Sequence, residues 1–285
     1  MRFEKWQALG NDYIVLEADR VPFELTPERV HAICAPHFGC HADGVLLLSR
    51  CDDGDHVAHL RIFNPDGSEA ELSGNGVREA VLYLRRAGWT EQDRFSVLTA
   101  AGEITPRLTG PNTARVEMAP ASVASADFPG GPEDGRGAID VGGVEREFQH
   151  VNVGNPQCAI EVPEGLEELD LPAIGPAIES SPLFPNRTNV SFWRAEGSTV
   201  RARIFERGVG ETLSSGTGAT GAAVAAHLRG AESPITVVLD GGELEVEIGA
   251  ELEIRLTGSA EPVFSGEFSP ELMKRLEDLA KGVEA

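Results

Sequence analysis

Two short loops of the same type carry the residues that could do chemistry. Each is a Ser-Gly-x-Gly sequence, at residues 73–76 and 215–218, and each precedes a stretch typical of a helix. The first turn of a helix has N–H groups without partners and a partial positive charge, so such a loop could bind a carboxylate or a phosphate. Serine is also a good N-cap, which is the purely structural interpretation of one such loop.

The two loops belong to an internal repeat with a constant offset of 142 residues. Residues 61–88 and 203–230 align without a gap and share nine identities, namely Arg61/Arg203, Ile62/Ile204, Phe63/Phe205, Glu69/Glu211, Ser73/Ser215, Gly74/Gly216, Gly76/Gly218, Ala80/Ala222 and Gly88/Gly230. An offset of half the chain predicts a duplication, with strand, loop and helix in each half. If the halves face each other, a small anion in the cleft would meet two helix N-termini and two serines.

Motifs for several other chemistries are missing or misplaced. The chain has no Gly-x-x-x-x-Gly-Lys-Ser/Thr phosphate loop and no Gly-x-Ser-x-Gly elbow, and no Gly-x-Gly-x-x-Gly follows a first strand. The cysteines Cys34, Cys40 and Cys51 lie close together in sequence near two histidines, and Cys158 stands alone. Because no second ligand pair follows at a suitable spacing, we expect buried thiols and no metal site.

Composition and charge narrow the class of protein. The 285 residues include 46 Asp and Glu against 24 Lys and Arg, a net charge of −22, with 41% hydrophobic residues. These proportions are those of a globular protein with a sizeable core. The acid excess argues against a nucleic-acid or anionic-membrane surface. No apolar run approaches the roughly 18 residues of a membrane span and no signal sequence is evident, so we expect a soluble, cytoplasmic protein.

The pattern of apolar and turn residues predicts more strands than helices, and hence an α+β fold. A helix is predicted over residues 26–35, with Thr26 as N-cap and Pro27 at its first position, and another begins after Ser269 and ends at Gly282. Strands are predicted at residues 12–17, 44–49, 59–63, 149–153, 189–193, 200–205, 236–238 and 244–248. A Gly-, Pro- and Ala-rich segment places a domain boundary near residue 117.

Ordered motifs along nearly the whole chain resemble those of the diaminopimelate epimerase family. They are Ala-Leu-Gly-Asn-Asp at 8–12, Gly-Cys-His-Ala-Asp-Gly at 39–44, Phe-Asn-Pro-Asp-Gly-Ser-Glu-Ala-Glu at 63–71, Gly-Asn-Gly-Val-Arg at 74–78, Gly-Asn-Pro at 154–156, Asn-Val at 189–190 and Glu-Arg-Gly-Val-Gly-Glu-Thr at 206–212.

The resemblance implies two pseudo-symmetric domains, each a β-structure around a central helix, with residues 1–117 plus 264–285 in the first and 118–263 in the second. It implies inversion at an amino-acid α-carbon without pyridoxal phosphate, metal or other cofactor, by interconversion of LL- and meso-diaminopimelate in lysine and peptidoglycan precursor biosynthesis. It also implies a homodimer. The substrate-binding positions of similar proteins correspond here to Asn11, Asn64, Gly74, Asn75, Asn155, Asn189, Glu206, Arg207, Gly216 and Thr217.

The two catalytic positions depart from the family pattern. The resemblance places cysteines where this chain has Ser73 and Ser215, and a histidine where it has Gln157. A thiol ionises near pH 8.5, whereas a serine hydroxyl ionises several units higher, at about 1.36 kcal/mol for each unit. Two helix N-termini, at about 1 kcal/mol each, do not close that gap. Unaided serines should therefore remove an α-proton several powers of ten more slowly than thiolates.

We interpret the chain as an epimerase-type protein that binds a small amino acid with a second carboxylate. Ser73 and Ser215 are the catalytic candidates at the α-carbon, and Arg207 is the candidate for the distal carboxylate. Three explanations of the serines stay open: a natural relative that uses another reaction or another base such as Glu206, deliberate replacement of both cysteines, or a catalytically silent amino-acid-binding relative. An isomerase for a different amino acid is the remaining alternative.

Overall fold

Strands outnumber helices in the part of the chain that the structure describes. The computed structural model describes residues 1–279. In chain order the elements are β1 (Arg2–Ala8), β2 (Asn11–Glu17), α1 (Pro27–Cys34), β3 (Val45–Arg50), β4 (His56–Phe63), β5 (Glu69–Ala70), α2 (Gly74–Arg86), β6 (Ser96–Thr99), β7 (Gly102–Ile104), β8 (Arg107–Gly110), β9 (Thr113–Met118), β10 (Arg136–Val141), β11 (Val144–Asn152), β12 (Pro156–Glu161), α3 (Leu171–Glu179), β13 (Asn189–Glu196), β14 (Thr199–Glu206), β15 (Gly210–Thr212), α4 (Gly216–His227), β16 (Ile235–Leu239), β17 (Gly242–Ile248), β18 (Ile254–Ser259), β19 (Glu261–Glu267) and α5 (Pro270–Asp278). The predicted α+β class is confirmed. None of the helices in this part of the chain has the length and apolarity to cross a bilayer.

The chain forms two compact units. The first contains Met1–Val116 and the described residues from Ser259 onwards, and the second contains Glu117–Gly258. The chain returns to the first unit before β19, because β19 pairs with β1 in antiparallel register. The domain bounds given from the sequence, 117/118 and 263/264, stay predictions.

The first unit is built on a sheet with helices on both faces. Its strand order is β19-β1-β2-β3-β4-β6-β7, with β5 beside β4. Strand β2 shows why both faces are covered: Tyr13 and Val15 pack in the cluster that contains α2, whereas Ile14 and Leu16 pack with α1 and α5. A strand that is apolar on both sides needs a helix on each of them.

The second unit encloses one helix in its sheet. Its strand order is β10-β11-β12-β13-β14-β16-β17-β18, with β15 beside β14. Helix α4 contacts β11 to β14, β16 and β17, and its residues from Gly218 to Ala226 are all buried. Most residues of this helix are glycine, alanine or valine, and these small side chains let strands approach it from several directions.

The two units repeat the same strand pairing at the offset of 142 residues. In the first, Phe63 pairs with Glu69 between β4 and β5, and in the second, Phe205 pairs with Glu211 between β14 and β15. Both hairpins carry the same ion pair, since Arg61 binds Glu69 at 2.8 Å and Arg203 binds Glu211 at 2.6 Å. The repeat read from the sequence is therefore a repeat of structure.

Most of the predicted elements are present. Helix α1 begins at Pro27 after Thr26, and the Ser269 hydroxyl accepts a hydrogen bond from the Leu272 N–H at the start of α5. Each predicted strand overlaps an observed one. Helix α5 ends at Asp278, and the predicted stop at Gly282 lies outside the described residues.

Gly44 provides a test of how closely the strands of the first unit pack. A Cβ atom at this position would lie 2.3 Å from the Phe63 carbonyl oxygen and 2.6 Å from the Tyr13 ring. We expect Gly44→Ala to lower the free energy of unfolding by about 2 kcal/mol or more, because the neighbouring backbone must move. Urea unfolding measures this change, with Gly130→Ala as the control, since no atom lies within 4 Å of a Cβ there. Equal midpoints for the two variants would contradict the packing described here.

Candidate active site

Ser73 and Ser215 each cap the helix that follows them. The Ser73 Oγ accepts a hydrogen bond from the Gly76 N–H at 3.1 Å, and the Ser215 Oγ accepts one from the Gly218 N–H at 3.2 Å. Both serines have an extended backbone, as an N-cap residue requires. The prediction that each Ser-Gly-x-Gly loop begins a helix is confirmed. The candidate residues fall into two groups, one in each unit.

In the first unit, two asparagines meet at the start of α2. The Asn75 Nδ2 donates to the Asn11 Oδ1 at 3.2 Å, and the Asn11 Nδ2 donates to the Asp43 carboxylate at 2.9 Å. The same carboxylate oxygen of Asp43 accepts from the Asp12 N–H at 3.0 Å. Asp43 thereby fixes the orientation of the Asn11 amide.

A buried arginine lies beside this pair of asparagines. The Arg78 guanidinium donates to the Asn75 Oδ1 at 2.6 Å and to the Gly74 carbonyl at 3.0 Å. Arg78 is fully buried, and burial lowers its pKa to about 10. It therefore stays protonated at neutral pH and adds a fixed positive charge next to the N-terminus of α2.

Asn64 lies in the turn between β4 and β5. Its Nδ2 donates to the Ser68 Oγ at 3.0 Å, and its N–H donates to the Ser68 carbonyl. Within residues 1–279, none of the hydrogen bonds of Asn64 reaches another predicted site residue. The structure thus joins Asn11, Gly74 and Asn75 in one network and leaves Asn64 outside it.

In the second unit, Ser215 is hydrogen-bonded to a carboxylate. The Ser215 Oγ donates to one oxygen of Glu206 at 3.1 Å, and the Thr212 Oγ1 donates to the other at 2.8 Å. Burial raises the pKa of Glu206, and the two hydroxyl groups partly oppose that rise because they stabilise the charged form. A carboxylate with a raised pKa is a stronger base than an ordinary one.

Asn155 and Thr217 repeat the contact that Asn11 makes with Asn75. The Asn155 Nδ2 donates to the Thr217 Oγ1 at 3.3 Å. The Asn155 Oδ1 accepts from the Gln157 Nε2 at 2.7 Å, so the buried Gln157 fixes the orientation of the Asn155 amide. In both units an asparagine thus reaches the second residue after the serine.

The segment that carries Arg207 is held at two consecutive N–H groups. The Asn189 Oδ1 accepts from the Arg207 N–H at 2.9 Å, and the buried Glu179 carboxylate accepts from the Gly208 N–H at 2.7 Å. The Arg207 guanidinium donates to the Asn186 carbonyl at 2.7 Å. These contacts fix the turn that follows Glu206.

Sequence reasoning missed several residues of these networks. Tyr13 and Glu179 were not singled out, and Asp43, Arg78 and Thr212 appeared only as parts of motifs. The offset of 142 residues could have drawn attention to Arg78, because it aligns Arg78 with Thr220. Each of these side chains donates to the carbonyl of the residue four positions earlier, which is Gly74 in the first unit and Gly216 in the second. The contacts of Tyr13 and Glu179 join residues that are distant in the sequence and have no local signal.

The four cysteines lie elsewhere in the chain. Cys34 and Cys158 are buried and Cys40 and Cys51 are partly exposed, and all four are free thiols. Burial raises the pKa of the Cys34 thiol to about 12, so this group stays protonated at neutral pH. The polar groups at the two helix starts are therefore hydroxyl groups, amides, a guanidinium and a carboxylate.

Solved structures show which other proteins share this fold. A probable proline racemase from Agrobacterium radiobacter K84 matches with a TM-score of 0.63 at 16% identity, over 95% of each chain. A phenazine biosynthesis protein of the PhzF family from Bacillus anthracis matches with a TM-score of 0.64 at 16% identity, over 94% of this chain and 99% of that one. The chain thus shares its fold with these two proteins.

Sequence comparison shows which family the chain belongs to. The family model for diaminopimelate epimerase matches residues 3–124 and 149–263. A diaminopimelate epimerase from Synechococcus sp. (strain JA-3-3Ab) is 41% identical over 278 residues, which are 93% of this chain and 97% of that protein. One from Desulfitobacterium hafniense is 39% identical over 279 residues, 93% of this chain and 97% of that protein. The chain belongs to the diaminopimelate epimerase family, which confirms the resemblance read from its motifs.

The hydrogen bond from the Thr212 hydroxyl group should keep the pKa of Glu206 lower than burial alone would make it. We expect Thr212→Val to raise that pKa further, because the variant removes a hydrogen bond to the charged form and leaves the burial unchanged. Carboxyl ¹³C NMR of the labelled protein measures the titration midpoint. Thr236→Val on β16 of the same unit is the control, and a downward or absent shift in Thr212→Val would contradict the assignment.

Proposed function

We propose that the protein is a cofactor-independent amino-acid epimerase that interconverts LL- and meso-diaminopimelate. Family membership supports the reaction class. The observation that carries the proposal is the hydrogen bond from the Ser215 hydroxyl to the partly buried Glu206 carboxylate at the start of α4. This contact gives the serine a base, which a serine needs far more than a thiol does. Function in the cytoplasm as a homodimer stays a prediction.

Glu206 offsets part of the difference in acidity between a serine hydroxyl group and a cysteine thiol. In the forward step the Cα–H bond breaks and its proton passes to the Ser215 Oγ, while the hydroxyl proton of Ser215 moves to Glu206. No free alkoxide forms, so the cost of ionising a serine does not enter in full. The charge left on the substrate is delocalised into its carboxylate, and inversion requires that a proton returns to the opposite face. We assign this return to Ser73.

The remaining polar groups suit an amino acid with more than one carboxylate. The N-terminus of α2, with its partial positive charge, lies next to the buried positive charge of Arg78. The Asn11, Asn75, Asn155 and Asn189 amides can orient amino and carboxylate groups, and the Arg207 guanidinium is the candidate for a distal carboxylate.

A second candidate is an amino-acid-binding relative without epimerase activity. It is favoured by the surroundings of Ser73, whose hydroxyl group is 3.3 Å from that of Tyr13 and, within residues 1–279, forms no hydrogen bond with a carboxylate. Such a protein would bind the substrate at the same helix starts and would exchange no α-proton.

Incubation with LL-diaminopimelate in deuterated water separates the two candidates. We expect α-deuterium uptake by NMR, and a loss of about 10²-fold or more in Glu206→Gln, because the amide cannot accept the proton. Glu211→Gln is the matched control, since it removes a carboxylate five residues away that pairs with Arg203. Absence of uptake in the wild-type protein at high concentration would overturn the epimerase proposal.

Replacing both serines by cysteine tests whether the rest of the site supports proton transfer when the reacting groups are thiols. We expect Ser73→Cys/Ser215→Cys to raise the rate of inversion by about 10²-fold or more, because a thiol at a helix N-terminus ionises near neutral pH. Chiral chromatography of the products measures the rate. A double variant that binds the substrate but is slower than the wild-type protein would show that the site is not built for proton transfer at the α-carbon.

A further inference from the structure

The hydroxyl group of Ser73 has a neighbour that none of the sequence motifs marks. Tyr13 lies on β2 with 5% of its surface exposed, and its Oη donates to the Ser73 Oγ at 3.3 Å. Its ring packs against Gly44, where a side chain would leave no room for it. The distance is long for an O–H···O bond but typical of catalytic contacts in sites without substrate.

The hydrogen bonds of Ser73 leave it with a proton to donate. A serine hydroxyl has one hydrogen and two acceptor positions. The Ser73 Oγ accepts from both the Gly76 N–H and the Tyr13 O–H, so both acceptor positions are filled. The hydrogen of Ser73 is then the part of the group that can act on a substrate.

Ser215 has the opposite arrangement at the matching position of the repeat. Its Oγ accepts from the Gly218 N–H but donates its hydrogen to Glu206. One serine therefore accepts from an acid and the other donates to a base. Repeated sequence has thus produced two helix starts of opposite proton-transfer character.

We propose that Tyr13 is a positioning residue that keeps Ser73 in its proton-donating orientation and replaces the proton Ser73 gives up. The inference rests on the proposed epimerase function. As the new Cα–H bond forms, the O–H bond of Ser73 breaks and the phenolic proton of Tyr13 moves to the Ser73 Oγ. The negative charge ends on the phenolate, which recovers a proton from water. A phenol, with an ordinary pKa near 10, is a much better proton source than an alcohol.

The chain offers a matched pair of variants, because it contains only two tyrosines, Tyr13 and Tyr83. The Tyr83 Oη donates to Glu17 at 2.6 Å, so Tyr83→Phe also removes a hydroxyl group that makes a hydrogen bond. Both inversion and α-deuterium exchange with retention are measured on LL-diaminopimelate in deuterated water. We expect Tyr13→Phe to lower inversion about tenfold and to leave exchange within about twofold, because removal of the α-proton by Ser215 and Glu206 is unaffected.

The ratio of exchange to inversion decides between positioning and a merely structural role. A structural defect would lower both rates together and leave the ratio unchanged, and that result would overturn the inference. So would a Tyr13→Phe variant that inverts the substrate at the wild-type rate, or a Tyr83→Phe variant with the same change in ratio.

A second measurement needs no catalytic activity, and so separates this inference from the proposed function. In Ser73→Cys the Tyr13 hydroxyl should stabilise the thiolate, and adding Tyr13→Phe should raise the pKa of the new thiol. The pH profile of its alkylation by iodoacetamide, followed by mass spectrometry of the peptide, gives this pKa. Adding Tyr83→Phe instead should leave it unchanged. An unaltered profile in Tyr13→Phe would overturn the contact, even if the wild-type protein proved to have no epimerase activity.

Discussion

The hydrogen bond from a serine side chain to the first turn of a helix organises both units. In each, the serine oxygen takes up an N–H of Gly76 or Gly218 that would otherwise lack a partner. This fixes the backbone at the point where the helix starts and leaves the hydroxyl group at the end of the helix. Asn11 in one unit and Asn155 in the other then reach the second residue after the serine. A cap that serves stability also sets the orientation of a reactive group.

The two units share a framework and differ in what they place beside it. The shared part comprises the strand pairing of β4 with β5 and of β14 with β15, the arginine–glutamate pairs across those hairpins, and the helix starts. The part that differs is a phenol beside one serine and a carboxylate beside the other. Duplication thus supplies the positions, and local substitutions give each position its own acid–base character.

Sequence could predict the framework because the framework is local. The offset of 142 residues aligned two helix starts, and turn and capping residues marked α1 and α5 correctly. The partners of the serines were harder to predict, since Tyr13 lies 60 residues from Ser73 and meets it only through the pairing of β2 within the sheet. Glu179 and Asp43 likewise bind residues that are distant in the sequence, Gly208 and Asn11 respectively. Asn64 shows the reverse case, a motif residue whose hydrogen bonds stay within its own turn.

The buried guanidinium of Arg78 has a consequence for how the molecule responds to acidity. Its pKa of about 10 keeps the Arg78 guanidinium protonated across the physiological range. Glu206, whose pKa is raised by burial, is the group at the other helix start whose charge is more sensitive to acidification. Acidification therefore leaves the charge of Arg78 at the start of α2 unchanged and protonates Glu206 at the start of α4 more readily than an ordinary carboxylate.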